Sequence, residues 1–339
     1  MSDHASQTIV TAPVISRPKM PAAAVLRARL MSHWLVRTLL KLAVSAGLIW
    51  LVCRNIDLSG VGQRFVGQSP GWLVAAAAAT LVQIPLAALR WQRILRALDI
   101  DIPGRAVFAV TYIGSFFNSW LLGSGSGDVA RALLAPPDPR GRGAIVHSVL
   151  FDRAATFAGI GLTILPVIAL NIGPLARGVP VLVSLAVVSL PFIGLIWLEP
   201  VAALVVRWQL PFAWIAAGLV DSWKRLRRSW RRYAMAIALA MVSEIALTTA
   251  AYCLARAQHL DVSFADFLML MPPVLLLGAL PISVGGWGVR ENVLVLALAP
   301  IGVAGGAALL VGIQIGLLGA LVSLPGGAIW LFKHLLHRR

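Results

Sequence analysis

The chain has 339 residues, 59% hydrophobic and only 12% charged, with a formal net charge of +16 and a mean hydropathy of +0.85. A soluble domain carries about 25% charged residues, so this composition excludes one and points to a polytopic membrane protein. The basic balance does not read as a nucleic-acid surface: the bases sit in blocks at the ends of apolar runs, where they set topology.

Residues 1–35 form a basic arm with Arg17, Lys19, Arg27 and Arg29. Its first stretch is polar and proline-containing and is expected to be disordered. The remainder reads as a short interfacial helix or a plain tether. The apolar run that follows has no small-residue cleavage site after it and is not a signal peptide. Full spans are expected at 36–53, 71–89, 144–170, 179–198, 234–255 and 305–332, each long enough for a hydrocarbon core. A basic segment, 199–233, holds the run Lys224-Arg-Leu-Arg-Arg-Ser-Trp-Arg-Arg232, which reads as a solvated or lipid-facing surface. The tail 333–339 is again basic.

Two apolar runs do not fit as simple crossings. The run 106–122 starts at one basic block, 90–105, and ends at another, 131–142. A hairpin that goes in and returns at Gly123-Ser-Gly-Ser-Gly127 keeps both blocks on the cytoplasmic side. The run 264–280 breaks at 281–288 and continues apolar to about residue 299, as a second hairpin entering from outside. In this topology only Arg54, Arg64, Arg177 and Arg256 lie outside and Lys41, Arg153 and Arg290 lie in apolar segments, so the rest of the 29 Lys and Arg are cytoplasmic. Both termini are then cytoplasmic, in a multi-pass protein of the plasma membrane. The expected fold is all-α: six full spans and two opposed re-entrant helical hairpins. Span, span, hairpin, span occurs twice with every direction reversed, so 36–170 and 179–332 read as inverted repeats.

The breaks carry the chemistry. Irregular backbone survives at membrane depth only when buried in protein or lining a wet cavity, and ionisable residues there are functional candidates. Asp128 and Arg131 follow the first break, Arg290 and Glu291 the second, and Asp152, Arg153 and Glu244 lie within spans. Arginine suits phosphate because its planar fork donates two parallel hydrogen bonds. Gly-rich breaks expose backbone N–H groups to the same anion. The expected lipid-binding residues are therefore Gly125, Gly127, Asp128 and Arg131 with Ser283, Gly285, Gly286, Gly288, Arg290 and Glu291, supported by the charges of Asp152, Arg153 and Glu244. Internal neutralisation, Asp152 with Arg153 and Arg290 with Glu291, is the competing account. The break is neither a nucleophile elbow, since Gly125 occupies the central position, nor a Gly-Lys-Ser/Thr phosphate loop. No Cys/His spacing reads as a metal site and no cofactor is expected. Cys53 and Cys253 read as free thiols, with pairing left open.

The chain resembles the transmembrane region of the lysylphosphatidylglycerol synthases, the flippase-like domain proteins. The resemblance rests on Leu89-Arg-Trp91, Phe116-Phe-Asn118, Gly-Ser-Gly-Asp-Val-Ala-Arg131, Asp152-Arg153 and Leu280-Pro-Ile-Ser-Val-Gly-Gly-Trp-Gly-Val-Arg-Glu291, the last being the most specific. It covers roughly residues 35–335 and implies an integral membrane protein that handles lipids between leaflets. Two departures stand out: Leu122 replaces an expected proline, and Gln314 an expected arginine. The soluble aminoacyl-transferase domain of the full-length synthases is not expected here, and with it no synthesis of an aminoacylated lipid; the expected activity is translocation of an anionic phospholipid or lipid-linked precursor, not catalysis. The alternatives are a membrane-embedded head-group transferase, using Asp57, His259, Asp261 or Asp266 as base, and a non-transporting partner of a lipid-modifying enzyme. Membrane lipids are the expected partners. Oligomeric state is open.

Overall fold

The computed structural model describes residues 40, 42–51, 53–54, 61–121, 125–169, 189, 193–194, 197–209, 213–278, 283 and 285–336, and every regular element among them is helical. The first half comprises α1 (Leu42–Leu51), α2 (Val61–Val66), α3 (Pro70–Leu81), α4 (Gln83–Ala97), α5 (Gly104–Phe116), a π-helical turn (Phe117–Leu121), α6 (Ser126–Leu134) and α7 (Arg142–Ala169). The second comprises α8 (Leu198–Arg207), α9 (Ala213–Arg228), α10 (Trp230–Ala257), α11 (Phe264–Gly278), α12 (Val289–Leu298), a 3-10 turn (Ala299–Ile301) and α13 (Gly305–Leu336).

Four stretches are long and apolar enough to cross a membrane: Pro70–Ala97, Arg142–Val167, Trp230–Ala257 and Gly305–Leu335. They coincide with four of the expected spans. The first expected span is described as the short apolar α1. The span at 179–198 lies almost wholly outside the described residues, as do the arm and residues 337–339. The interruption between α3 and α4 at Val82 has a local cause in Pro85. Its ring has no N–H to give the Leu81 carbonyl and crowds that carbonyl, so the ladder breaks one turn earlier.

Apolar side chains gather into two cores. One unites α3, α10, α11, α12 and α13 through Ala76, Leu254, Phe267, Met271, Leu294, Leu298 and Val311. The other unites α4, α5, α7, α9 and α10 through Trp91, Ile94, Val107, Ile145, Phe151, Leu226 and Tyr233. Among the described residues, only α10 contributes buried residues to both. Cys53 and Cys253 are both free thiols.

Packing in the two halves corresponds pair by pair. α5 packs on α6 as α11 packs on α12, and α6 on α7 as α12 on α13. α4 touches α5 and α7 as α10 touches α11 and α13, while α4 and α10 pack directly against each other. The partners of α5 and α11 are exchanged: α5 lies on α13, and α11 on α7. The helices α6 and α12 are short. α6 has 9 residues and α12 has 10, so at 1.5 Å per residue they reach only about 14–15 Å, half a hydrocarbon core.

α5 and α6 meet on glycine. The backbone of Gly114 on α5 and Gly127 on α6 touch so closely that a Cβ on Gly127 would strike the Gly114 carbonyl and the Asn118 Cβ. Backbone on both sides leaves nothing flexible to yield. Gly127→Ala is expected to destabilise the fold by about 1–3 kcal/mol, the usual cost of overpacking. Thermal unfolding of the purified protein would read this directly, and an unchanged midpoint would show that α5 and α6 do not meet here.

Candidate functional site

Five charged side chains from α4, α6 and α7 form one chain of ion pairs. Asp152, with its side chain 1% exposed, is the hub. It accepts from Arg90 Nε at 2.7 Å and Nη2 at 3.2 Å, and from Arg131 Nη1 at 2.8 Å. Arg131 Nη2 then donates to Asp128 Oδ1 at 2.8 Å, and Arg153 Nε donates to Asp128 Oδ2 at 2.5 Å. Three arginines against two aspartates leave one positive charge. Asp152 and Arg153 therefore do not neutralise each other. They are consecutive on a helix and point about 100° apart, so each takes a partner on another element.

Arg131 is held on every side. Its guanidinium also lies 4.9 Å from the Trp91 ring centroid. Trp91 is fully buried and donates its indole N–H to Ser148 Oγ at 3.0 Å. Arg153 is freer: its side chain is 38% exposed, and among the described residues its terminal nitrogens have no partner.

The second break is organised by Glu291. Its Oε2 accepts the Gly288 N–H at 2.6 Å, closing the start of α12, and its Oε1 takes Arg290 Nη2 at 2.5 Å and Nε at 3.1 Å. The helix N-terminus that the sequence offers to a lipid anion is thus already occupied by the protein's own carboxylate. Gly288 has φ +86°, and a Cβ there would meet the Leu48 Cβ and Ser45 carbonyl of α1. Arg290 lies over the Trp287 ring at 5.1 Å, in the space left by Gly316 of α13. Its pairing with Glu291 matches the neutralisation account, but Nη1 has no partner among the described residues.

The two breaks meet. Gly285 lies against the backbone carbonyls of Asn118 and Ser119. A cavity of about 420 Å³ sits at this junction, lined by Asn118, Gly125, Asp128, Arg153 and Phe157 from one side and Val274, Leu275, Gly278, Gly285, Gly286 and Arg290 from the other. A second cavity of about 130 Å³ follows the ion-pair chain past Arg90, Asn118, Gly127, Asp128, Arg131, Asp152 and Arg153. The mixed lining offers guanidinium groups to an anion and Phe157, Val274 and Leu275 to an apolar tail.

Of the expected residues, Gly125, Asp128, Arg153, Gly285, Gly286 and Arg290 line the larger cavity, and Gly127, Arg131 and Asp152 only the smaller. Gly288, Glu291 and Ser283 line neither. Ser283 is fully buried with its hydroxyl unpartnered among the described residues. The rest of 279–284 lies outside them. Glu244 is buried on α10, away from both cavities, and its Oε1 has no partner among the described residues.

Arg90 corrects the sequence reading, which places it on the basic surface with Arg93 and Arg96. Its helical phase gives it away: Arg90, Ile94 and Ala97 share the buried face at i, i+4, i+7. Asn118 is the other omission. Its Oδ1 accepts the Gly125 N–H at 3.1 Å and ties the two sides of the first break. Gln314, found where the resemblance expects arginine, makes reciprocal hydrogen bonds with Gln68 at 2.7 and 3.2 Å and lines neither cavity. Leu122 lies outside the described residues. Of the candidate bases for a transferase, His259 faces the Gly67 carbonyl, Asp261 faces Arg256, and Asp266 takes the Ser263 hydroxyl. None of these three lines the cavities, and Asp57 lies outside the described residues.

Long apolar helices packed around two glycine breaks, with a buried chain of ion pairs joining two of these helices to α6, define a polytopic α-helical membrane protein. The chain matches the model of the lysylphosphatidylglycerol synthase TM region over residues 38–327, and it belongs to that family. No curated protein matches it. Membership makes it a membrane protein linked to lipid handling.

Proposed function

We propose that the protein translocates an anionic phospholipid or lipid-linked precursor between leaflets, taking the phosphate into the cavity where the two breaks meet. One observation carries the reading. Arg153 from the first half and Arg290 from the second line one cavity, and among the described residues each keeps at least one terminal guanidinium nitrogen free of a protein partner. A phosphate held there gains charge-assisted, geometrically matched hydrogen bonds. Arg131, which the sequence offers as the phosphate contact, acts instead as the strut between Asp152 and Asp128.

The hairpins are re-entrant in this reading, because α6 and α12 are too short to cross. They enter from opposite faces, and the exchanged packing of α5 on α13 and α11 on α7 is what inverted repeats produce. Both termini and the basic blocks face the cytoplasm, in the plasma membrane. Transport, not head-group chemistry, is the activity, and a lipid-modifying enzyme would act as a separate partner.

The test is reconstitution of the purified protein into vesicles that carry a head-group-labelled phosphatidylglycerol. An impermeant quencher should bleach the inner-leaflet label as well as the outer. Single cysteines at Arg105 and Pro139 should react from one face, and those at Asp261 and Ala304 from the other. Bleaching that stops at the protein-free level would overturn transport. Labelling of 105 and 139 from opposite faces would overturn the first hairpin.

A further inference from the structure

A third cavity lies at the C-terminal end of α4, where no transport role has been placed. A cavity of about 400 Å³ is lined by Arg93 and Arg96 of α4, by Asp99, Ile100 and Asp101 of the following loop, and by Arg232 in the first turn of α10. Its walls are set by backbone. Arg140 Nη1 donates to the Leu98 carbonyl and Nη2 to the Asp99 carbonyl, both at 2.9 Å. Arg232 Nη1 donates to the Arg96 carbonyl at 2.8 Å. Arg140 is itself fixed by Asp138, whose carboxyl is held below the usual carboxylate range by the hydrogen bonds from that guanidinium. Asp99 adopts φ +57°, so that Ile100 turns back, donates its N–H to the Leu95 carbonyl and buries its side chain. These cations satisfy the last carbonyls of α4, as helix C-termini favour.

Three arginines face two aspartates in the lining, and Asp99 is offset by Arg225 at 3.5 Å. Among the described residues Arg93 and Arg96 make no ion pair. Depth is marked by Trp230, 63% exposed and two residues before Arg232, since exposed tryptophan at the end of an apolar helix settles at the head-group level.

We infer that this cavity binds the phosphate head group of an anionic phospholipid from the basic face of the membrane, as a resident lipid separate from the cargo. Arg93 and Arg96 supply the free guanidinium forks. Arg232, held by its backbone bond, closes the cavity at the base of α10, so a bound head group joins the ends of α4 and α10, the two helices that pack against each other between the halves.

Lipid binding to the full chain, purified in a neutral detergent, would be measured by native mass spectrometry with phosphatidic acid, phosphatidylglycerol and phosphatidylcholine. The anionic lipids should bind and phosphatidylcholine should not. R93Q/R96Q should weaken anionic-lipid binding about tenfold or more, in line with two basic contacts at a lipid surface. R227Q/R228Q, from the basic run that also holds Arg232 but outside the cavity, should change it less than about twofold. The exposed single change R96Q keeps the comparison available if the double variant does not fold. Equal losses in the two pairs would overturn the site in favour of a diffuse basic surface. Inorganic pyrophosphate displacing the lipid at equal concentration would assign the cavity to a free phosphate compound. Because no transport is measured, the result does not depend on the transport reading.

Discussion

Asp152→Asn is expected to cost about 3–5 kcal/mol of folding stability, the range for removing one partner from a buried charge pair. Asp152 accepts three hydrogen bonds from two arginines and is almost wholly buried. Asparagine keeps the shape but brings an NH2 group to guanidinium donors and removes the charge. Arg131 retains Asp128, whereas Arg90, 8% exposed, has no other acceptor among the described residues. A loss of that size is a large part of the 5–15 kcal/mol that holds a typical fold, so the variant should accumulate poorly and unfold at markedly lower temperature. The double change R90M/D152N should recover most of the loss. It removes one charge of each sign, leaves Arg131 and Arg153 with Asp128, and preserves the single net positive charge. A double-mutant cycle from thermal unfolding separates this coupling from generic damage. If D152N unfolds within a few degrees of the parent, the ion-pair chain does not hold α4, α6 and α7 together.

The fold was legible where hydropathy and charge speak together. Long apolar runs bounded by arginine blocks give the helices Pro70–Ala97, Arg142–Val167, Trp230–Ala257 and Gly305–Leu335 directly. Glycines inside an apolar run, followed at once by Asp128 and Arg131 or by Arg290 and Glu291, mark the breaks, because a helix does not run comfortably through them. Partner choice was less legible. Asp152 and Arg153 are adjacent in sequence but diverge on α7 and bind different elements, whereas Arg290 and Glu291, also adjacent, do pair because Glu291 folds back onto the Gly288 N–H at the start of α12. Arg90 was hidden by its neighbours: Arg93 and Arg96 label the segment as surface, and only the helical phase separates them. The contact between Gly285 and the backbone of Asn118 and Ser119 joins residues far apart in sequence, and no local pattern encodes it.

Arg290→Gln is expected to abolish lipid transport while the protein still folds, and Arg290→Lys to leave it folded but impaired. The guanidinium spends Nε and Nη2 on Glu291 and keeps Nη1 without a partner among the described residues, in a side chain that lines the cavity. Glutamine can still donate to Glu291, which also keeps the Gly288 N–H, so the buried carboxylate is not stranded. The cation beside the lipid phosphate is lost, together with its place over Trp287. Lysine restores the charge but not the fork: a single ammonium must serve both Glu291 and the phosphate, where the planar guanidinium serves each with its own nitrogen. Initial transport rates should therefore fall in the order parent, R290K, R290Q, with R290Q at the protein-free rate and R290K lower than the parent by about tenfold, the equivalent of one charge-assisted hydrogen bond. Unfolding midpoints near the parent value would assign the loss to the cavity. R290K at the parental rate would mean that charge alone suffices. R290Q at that rate, in folded protein, would remove Arg290 from the lipid path and leave Arg153, among the described residues, as the only arginine lining the larger cavity.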